Sequence, residues 1–387
     1  MKKIHAFQTV DKIIFGNHSL ENLNEHLFAF GEIKHVLIAT LPNFEKNLDI
    51  VTKQLDELQV TYDVITDIQP EPTVYHLNEL YSRIESTSYD LMIGMGGGSI
   101  LDAVKILSVL KTNDEPLENL IGTELIKNKG VPMVLIPTTS GTGSEVTPNS
   151  IVTFPEQELK IGIVSRHFLA DLVVLDPMLT VSVPPRITAA TGMDAFTHSF
   201  ESYISNKANP ISNMYAMESM KLITQSIVQS YEQGDNIEAR SKMLLGATYG
   251  GMALTSAGTA AVHALAYPLG GKFKVSHGEA NSMLLPHVTR VNLDVIEDKM
   301  AYIAKEIGLV EQGSSLSVKE TAELLIKQIE SWTKQLNIPQ NIAEFGVKYE
   351  DIQPLALAAS KVTRLLNNNP KELSVEDVEN IYRKLLD

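Results

Sequence analysis

The chain has 387 residues, 44% hydrophobic and 20% charged, a globular composition with enough length for two cores. Its 32 Lys and Arg against 47 Asp and Glu leave a formal charge of −15, which argues against a nucleic-acid surface. Cysteine is absent, which removes disulfides, thiolate metal sites and cysteine nucleophiles and fits a reducing cytoplasm.

An opening strand or hairpin is expected over Lys12–Phe15, ended by Gly16-Asn17. Strands at Val36–Thr40, Asp63–Thr66, Asp90–Met95 and Pro132–Ile136 alternate with helical patterns near Phe44–Leu58, Val74–Glu85 and Ile100–Leu110. That alternation predicts a parallel sheet with helices on both faces. Ser150–Phe154 and Ile161–Ser165 flank the polar turn PEQE and read as a hairpin, and Asp171–Leu175 is expected to close the sheet. The pair Pro184-Pro185 marks a boundary. Beyond it only helical periods follow, near Ile187–Ile204, Pro210–Tyr231, Ile237–Thr255, Ala260–Tyr267, Ala280–Asn292 and Val295–Gly308, with several more to the end. Ser374 and Asp377 have capping-box spacing for the last helix. The expected division is 1–183, α/β, and 184–387, all-helical. The N-terminal residues supply no signal-peptide h-region, and no apolar run approaches the ~20 residues of a spanning helix.

Two loops of the first domain have ligand character. GMGGGS, Gly94–Ser99, sits between the strand DLMI and the helix ILDAVKIL, where bare backbone N–H groups and a helix N-terminus suit a diphosphate. A standard dinucleotide fingerprint follows the first strand; this loop follows the third of the alternation and ends in Ser. Ser99 and Asp102 also have capping-box spacing, so a well-capped helix on a tight turn is the alternative. PTTSGTGSEVTPN, Pro137–Asn149, follows the next strand and should lie beside the first loop at the same sheet edge. Lys160, on the hairpin, is a candidate for a ribose or phosphate, although a lone Lys is usually solvated.

The second domain carries GMDAFTH, Gly192–His198, and HALAYPLGGKFKVSH, His263–His277. Asp194 and His198, four apart, share one helix face. His263 and His277 could complete a set of one carboxylate and three imidazoles, which suits a divalent Zn or Fe ion with a position left open. A cap or dipole role for Asp194 and backbone-satisfied histidines are the alternative. Two features favour the metal. Gly192 stands where a helix prefers Ala, which points to a close approach to the backbone. His263 lies in a run poor in charge and needs a partner.

Together GGGSILDAVK, PTTSGTGSEVT, GMDAFTHSFESYI, HALAYPLGG and HGEANSMLLPHV resemble the iron-containing (group III) alcohol dehydrogenase family, in the family's order and over essentially the whole chain. The resemblance implies an α/β N-terminal Rossmann-like domain followed by an all-α C-terminal domain, the dehydroquinate synthase-like architecture. It implies an NAD(P)-dependent oxidoreductase acting on a small alcohol or aldehyde, with iron the first expectation for the metal and zinc the second, working in the cytoplasm as a homodimer or larger. Asp194, His198, His263 and His277 match the family's metal ligands. Gly97, Gly98, Ser99 and Asp102 match the pyrophosphate loop, and Thr138, Thr139, Thr142, Thr147, Asn149 and Lys160 match residues lining the adenosine, the nicotinamide or its ribose. Two positions depart from the pattern. Tyr267 replaces a His found in many members one turn after the third ligand, and a phenol titrates too high for a proton shuttle near neutrality. Leu41 stands after VLIAT where NAD-preferring relatives often carry Asp, so NADP(H) is not selected against. The alternative of the same architecture is a non-redox, NAD- and metal-dependent lyase of the dehydroquinate synthase type. It would need clustered Lys and Arg for a phosphorylated substrate, and the basic residues between Arg186 and Lys274 do not cluster near the ligands.

Overall fold

The computed structural model describes residues 4–157, 159–311 and 313–386. Two compact units emerge. One comprises Gln8–Thr139 and Gly143–Val183; the other takes the chain from Pro184 onward, the segment ending at Phe7, and Ser140–Thr142.

The first unit is built on strands β1 (Lys12–Phe15), β2 (His35–Thr40), β3 (Thr61–Ile65), β4 (Leu91–Gly96), β5 (Met133–Pro137), β6 (Asn149–Phe154), β7 (Leu159–Val164) and β8 (Leu172–Leu175), with helices α1 (Asn24–Leu27), α2 (Glu45–Glu57), α3 (Val74–Ile84) and α4 (Gly98–Leu110). Six strands form one sheet in the order β1-β8-β5-β4-β2-β3, every pair parallel, while β6 and β7 make a separate antiparallel hairpin. Val36, Ile38, Leu91, Ile93, Met95, Val134, Ile136, Leu172 and Val174 occupy alternate positions and bury one face together. The intervening residues Leu37, Met92, Leu135 and Val173 are buried too, as a sheet covered on both faces requires. The segment Asp171–Leu175 does not close the sheet. β8 is interior, and the opening strand pairs parallel with it as an edge, Lys12 opposite Leu172, not as half of a hairpin. β3 lies on one side of β2 and β4 on the other, so the strand order reverses between β2 and β4, where open α/β sheets bind ligands beyond the strand ends. Leu41 and the glycine loop occupy those ends.

The second unit is helical: α5 (Pro185–Ile204), α6 (Pro210–Thr224), α7 (Ile227–Glu232), α8 (Ile237–Ala257), α9 (Ala261–Phe273), α10 (His277–Glu306), α11 (Val318–Gln335), α12 (Ile352–Ser360), α13 (Thr363–Leu366) and α14 (Val375–Lys384). Pro184 and Pro185 take the N-cap and first position of α5, where a missing N–H is harmless. The period read over Pro210–Tyr231 is two helices, because Ser226 turns its hydroxyl to the Leu222 carbonyl and competes with the ladder. The two periods Ala280–Asn292 and Val295–Gly308 are one helix, α10. The polar Asn292 that reads as a break is buried and exchanges two 2.9 Å hydrogen bonds with Asn369. α9 likewise continues through Pro268. The Ser374–Asp377 capping box forms as expected. Among the described residues no helix is long and apolar enough to cross a membrane.

Lys105, on α4, is completely buried. Its ammonium donates to the Ser144, Thr147 and Asn149 carbonyls at 2.5, 3.1 and 2.8 Å and to the Ser144 hydroxyl at 2.8 Å, with Asp102 at 3.5 Å. One cation thus gathers the carbonyls of the second polar loop onto the helix that follows the glycine loop. Burial pulls its pKa below the usual lysine range, opposed by Asp102 and then Glu145. Removing one partner of such a buried set leaves the others unpaired, so Lys105→Met is expected to lose about 3 kcal/mol of stability. Urea unfolding of the purified variant measures this.

Candidate metal centre and nucleotide loop

α5 places Asp194, His198 and Glu201 on one face, at i, i+4 and i+7. His263 is in the first turn of α9 and His277 begins α10. One ligand atom from each of Asp194, His198, His263 and His277 lies within 4.8 Å of all the others. The Asp194 carboxylate oxygen stands 3.9, 3.7 and 3.7 Å from the Nε2 atoms of His198, His263 and His277. These separations are too long for hydrogen bonds. They are near the ~3.4 Å between two ligands held ~2.1 Å from one tetrahedral ion. His263 Nε2 is buried with no hydrogen-bond partner, so a hydrogen-bonded histidine cluster does not account for the arrangement and a shared cation does. The donor set fits.

The surroundings keep the rings ready as ligands. Burial lowers the His198 pKa; Asp194 opposes this and His263, stacked on it at 4.7 Å between ring centroids, adds to it. Burial would raise the Asp194 carboxyl, but the three imidazoles and the Asn281 amide, 2.7 Å away, hold it below the usual carboxylate range. Glu201 accepts from Ala260 N, Val262 N and His263 Nδ1 at 2.9, 2.7 and 2.6 Å. The ring N–H thus points away from the cluster and the Nε2 lone pair into it, the carboxylate–histidine arrangement common behind metals. Asn281, one turn after His277, bridges Asp194 and His277 Nε2. Of the four ligand side chains His277 is the most exposed, at 28%. Gly192 is close-packed, as expected, but by Met243 and Ile227, which a Cβ would meet at 2.9 and 3.0 Å; the approach is core packing rather than a ligand. Tyr267, one turn after His263, sets its ring centroid 6.3 Å from that of His277. Burial raises its phenol above the usual range, Arg364 opposing.

In the sheet unit, Gly96 and Pro137 are register partners and Thr138 N donates to Gly96 O at 3.0 Å, so both loops leave the same sheet edge. A Cβ on Gly96 would lie 2.4 Å from Ile100 and one on Gly97 3.4 Å from the Thr139 hydroxyl. The first glycine therefore serves the helix folding back on its strand, and the second stands against Thr139. The capping box of Ser99 and Asp102 does not form: Gly97 is the N-cap and makes no side-chain cap. Asp102 instead accepts from Ser144 Oγ at 2.5 Å and Ile151 N at 2.9 Å, and Ser99 accepts from Glu71 N at 3.0 Å. Lys160 is not solvated; it is buried and pairs with Glu71 at 2.5 Å. Thr147 and Asn149 are held by Lys105. Thr142 groups with the helical unit, and Leu41 is exposed.

Comparison with known proteins gives a consistent result. The family described as Iron-containing alcohol dehydrogenase matches residues 11–177, and the Fe-containing alcohol dehydrogenase family, C-terminal, matches residues 188–386. A long-chain-alcohol dehydrogenase 1 of Geobacillus thermodenitrificans is 38% identical over 354 residues, covering 90% of this chain and 89% of that protein. The chain belongs to the iron-containing alcohol dehydrogenase family. An NAD-dependent methanol dehydrogenase of Bacillus methanolicus is 30% identical across 96% of this chain and 97% of its own. A crystal structure of a 1,3-propanediol oxidoreductase superposes with a TM-score of 0.94 at 32% identity, covering 99% and 100%. Membership bears out the resemblance of the five motifs, the α/β-then-helical fold class and an oxidoreductase of the alcohol dehydrogenase type, and it does not favour the lyase alternative.

Four residues that the sequence reading did not single out support these sites. Glu201 continues the face of Asp194 and His198, and Asn281 follows His277 by four, so both were open to the helical period. Lys105 and Glu71 act through contacts 28 to 89 residues away in sequence, which no local period reports. Two outcomes follow. Glu201→Gln puts an amide N–H where donors converge and is expected to weaken divalent-metal affinity roughly 10- to 100-fold, measured by chelator competition. A Cβ at Gly278 would lie 2.4 Å from the Ala190 carbonyl oxygen, so Gly278→Ala should push α10 off α5 and lower Tm by several degrees, about 2 kcal/mol of strain, with metal retention falling in parallel.

Proposed function

We propose that the chain is a metal-dependent, NAD(P)-linked alcohol dehydrogenase or aldehyde reductase. Asp194, His198, His263 and His277 hold the divalent ion, with iron expected before zinc. The observation that carries this reading is the buried quartet of ligand atoms spaced beyond hydrogen bonding but within reach of one cation. Bound there, the ion supplies a Lewis acid for the alcohol or carbonyl oxygen and a bound nicotinamide the hydride chemistry. The residues of the chain orient and exclude. Glu201 fixes the tautomer of His263, and burial keeps His198 neutral. The backbone N–H groups of Gly97, Gly98 and Ser99 at the start of α4 suit a diphosphate. The exposed Leu41 after β2 brings no carboxylate against a 2′-phosphate, which supports acceptance of both NAD and NADP. A cytoplasmic place and a homodimeric or larger assembly belong to the same reading, supported by the absence of cysteine and by the family.

The test is an alcohol and aldehyde panel with NAD(H) and NADP(H) on protein whose iron and zinc have been quantified. Net change in reduced nicotinamide, matched mole for mole by product and abolished by chelation, is expected; turnover without net nicotinamide change would return the lyase alternative. His263→Ala should lose metal and reduce kcat by more than the roughly 10- to 100-fold of a supporting residue, while cofactor binding, followed by nicotinamide fluorescence, persists.

A further inference from the structure

One ridge of α5 meets the whole first turn of α10. Arg186, Ala190, Asp194 and His198 recur every fourth residue and so line a single ridge of the helix. Asp194 stands 3.7 Å from His277 Nε2, and the Ala190 carbonyl oxygen would lie 2.4 Å from a Cβ on Gly278. At the start of α5, Arg186 Nε donates to Glu279 Oε1 at 2.8 Å, while Ser276 Oγ donates to Glu279 Oε2 at 2.7 Å. The first turn of α10 is thus held along the ridge from an ion pair at one end to a metal ligand at the other, with no slack at Gly278 between them. A cation in the first turn of a helix gains nothing from the dipole, so the place of Arg186 is accounted for by the carboxylate it meets. The pair is uneven: the Glu279 side chain is 4% exposed and that of Arg186 75%, anchored on one side and open to solvent ions on the other. His277 is the first residue of α10 and the most exposed ligand, whereas Asp194 and His198 sit within α5 and His263 is fixed by Glu201. Helix ends fray first, so His277 is the ligand most easily released.

We infer that the Arg186–Glu279 pair is a latch on metal exchange. Closed, it holds the first turn of α10 so that His277 stays against Asp194. Open, the turn frays and His277 withdraws, which clears the way in and out of the quartet. The inference rests on the metal centre proposed above and adds the control of its loading. Arg186 and Glu279 are positioning residues that act through His277. The latch makes the same contacts whether the quartet is loaded or not, so loosening it speeds entry and exit alike and leaves affinity nearly unchanged. That separates it from Glu201, whose bond to a ligand ring bears on affinity itself.

Cobalt(II), whose visible absorption reports ligation, is the probe. Its entry is followed on chelator-treated protein and its exit in excess chelator, for wild type, Glu279→Gln, Arg186→Gln and Arg186→Lys, each checked for Tm. Loss of a charge-assisted contact to a buried carboxylate is expected to raise the entry and exit rates together by about 10-fold in Glu279→Gln and Arg186→Gln, with Kd held within about 3-fold. Arg186→Lys keeps the charge and should stay nearer wild type than Arg186→Gln. Raising salt from about 0.1 to about 1 M shortens the screening length from ~10 to ~3 Å, which should speed exit from wild type and not from Arg186→Gln. Unchanged rates in both Gln variants, or a faster exit with entry unchanged, would overturn the latch and leave the metal centre standing. If wild type binds no cobalt, or His263→Ala binds it as tightly, both fall.

Discussion

Burying a carboxylate is unfavourable by several kcal/mol unless donors or positive charge meet it, and Asp194 is buried in the helical unit with three imidazoles around it that are too distant to hydrogen-bond. The packing follows from satisfying that group. α5 carries the carboxylate and one imidazole at helical spacing, α9 and α10 each deliver another near their first turn, and Asn281 supplies a direct donor. The close fit of Gly278 against the Ala190 carbonyl holds α10 at the distance from α5 that His277 needs to reach Asp194. Glu201, also buried, meets the opposite need: three N–H groups converge on it, one from the His263 ring. One buried carboxylate is therefore complete within the chain, and the other has the surroundings that suit an ion.

The sheet unit solves its own problem with a reversed sign. There the buried charge is the Lys105 ammonium, and it is met by backbone carbonyls of the loop that leaves β5. Such a knot fixes the course of Gly143–Asn149, whose local sequence, rich in Gly, Ser and Thr, has little conformational preference of its own. Glu71 does the same for the glycine loop, donating its N–H to Ser99 while its carboxylate holds Lys160. Residues resembling a family's nucleotide contacts are thus positioned by Lys105 and Glu71, side chains that the match does not itself name.

What the sequence made legible divides along this line. Alternating strands and helices, the proline boundary, the two loops at one sheet edge and the metal quartet all follow from short-range spacing together with motif order, and the structure has them. Where expectation and structure part, a long-range contact intervenes. Ser99 and Asp102 have the spacing of a capping box, but Ser144 and Ile151, more than forty residues on, claim the carboxylate. Asn292 reads as a break until Asn369 satisfies it inside α10. β8 reads as the last strand, yet β1 pairs beyond it, because chain order does not dictate position within a parallel sheet. Gly192 signalled crowding correctly; only the identity of the neighbour, Met243 and Ile227 rather than a ligand, lay beyond the sequence.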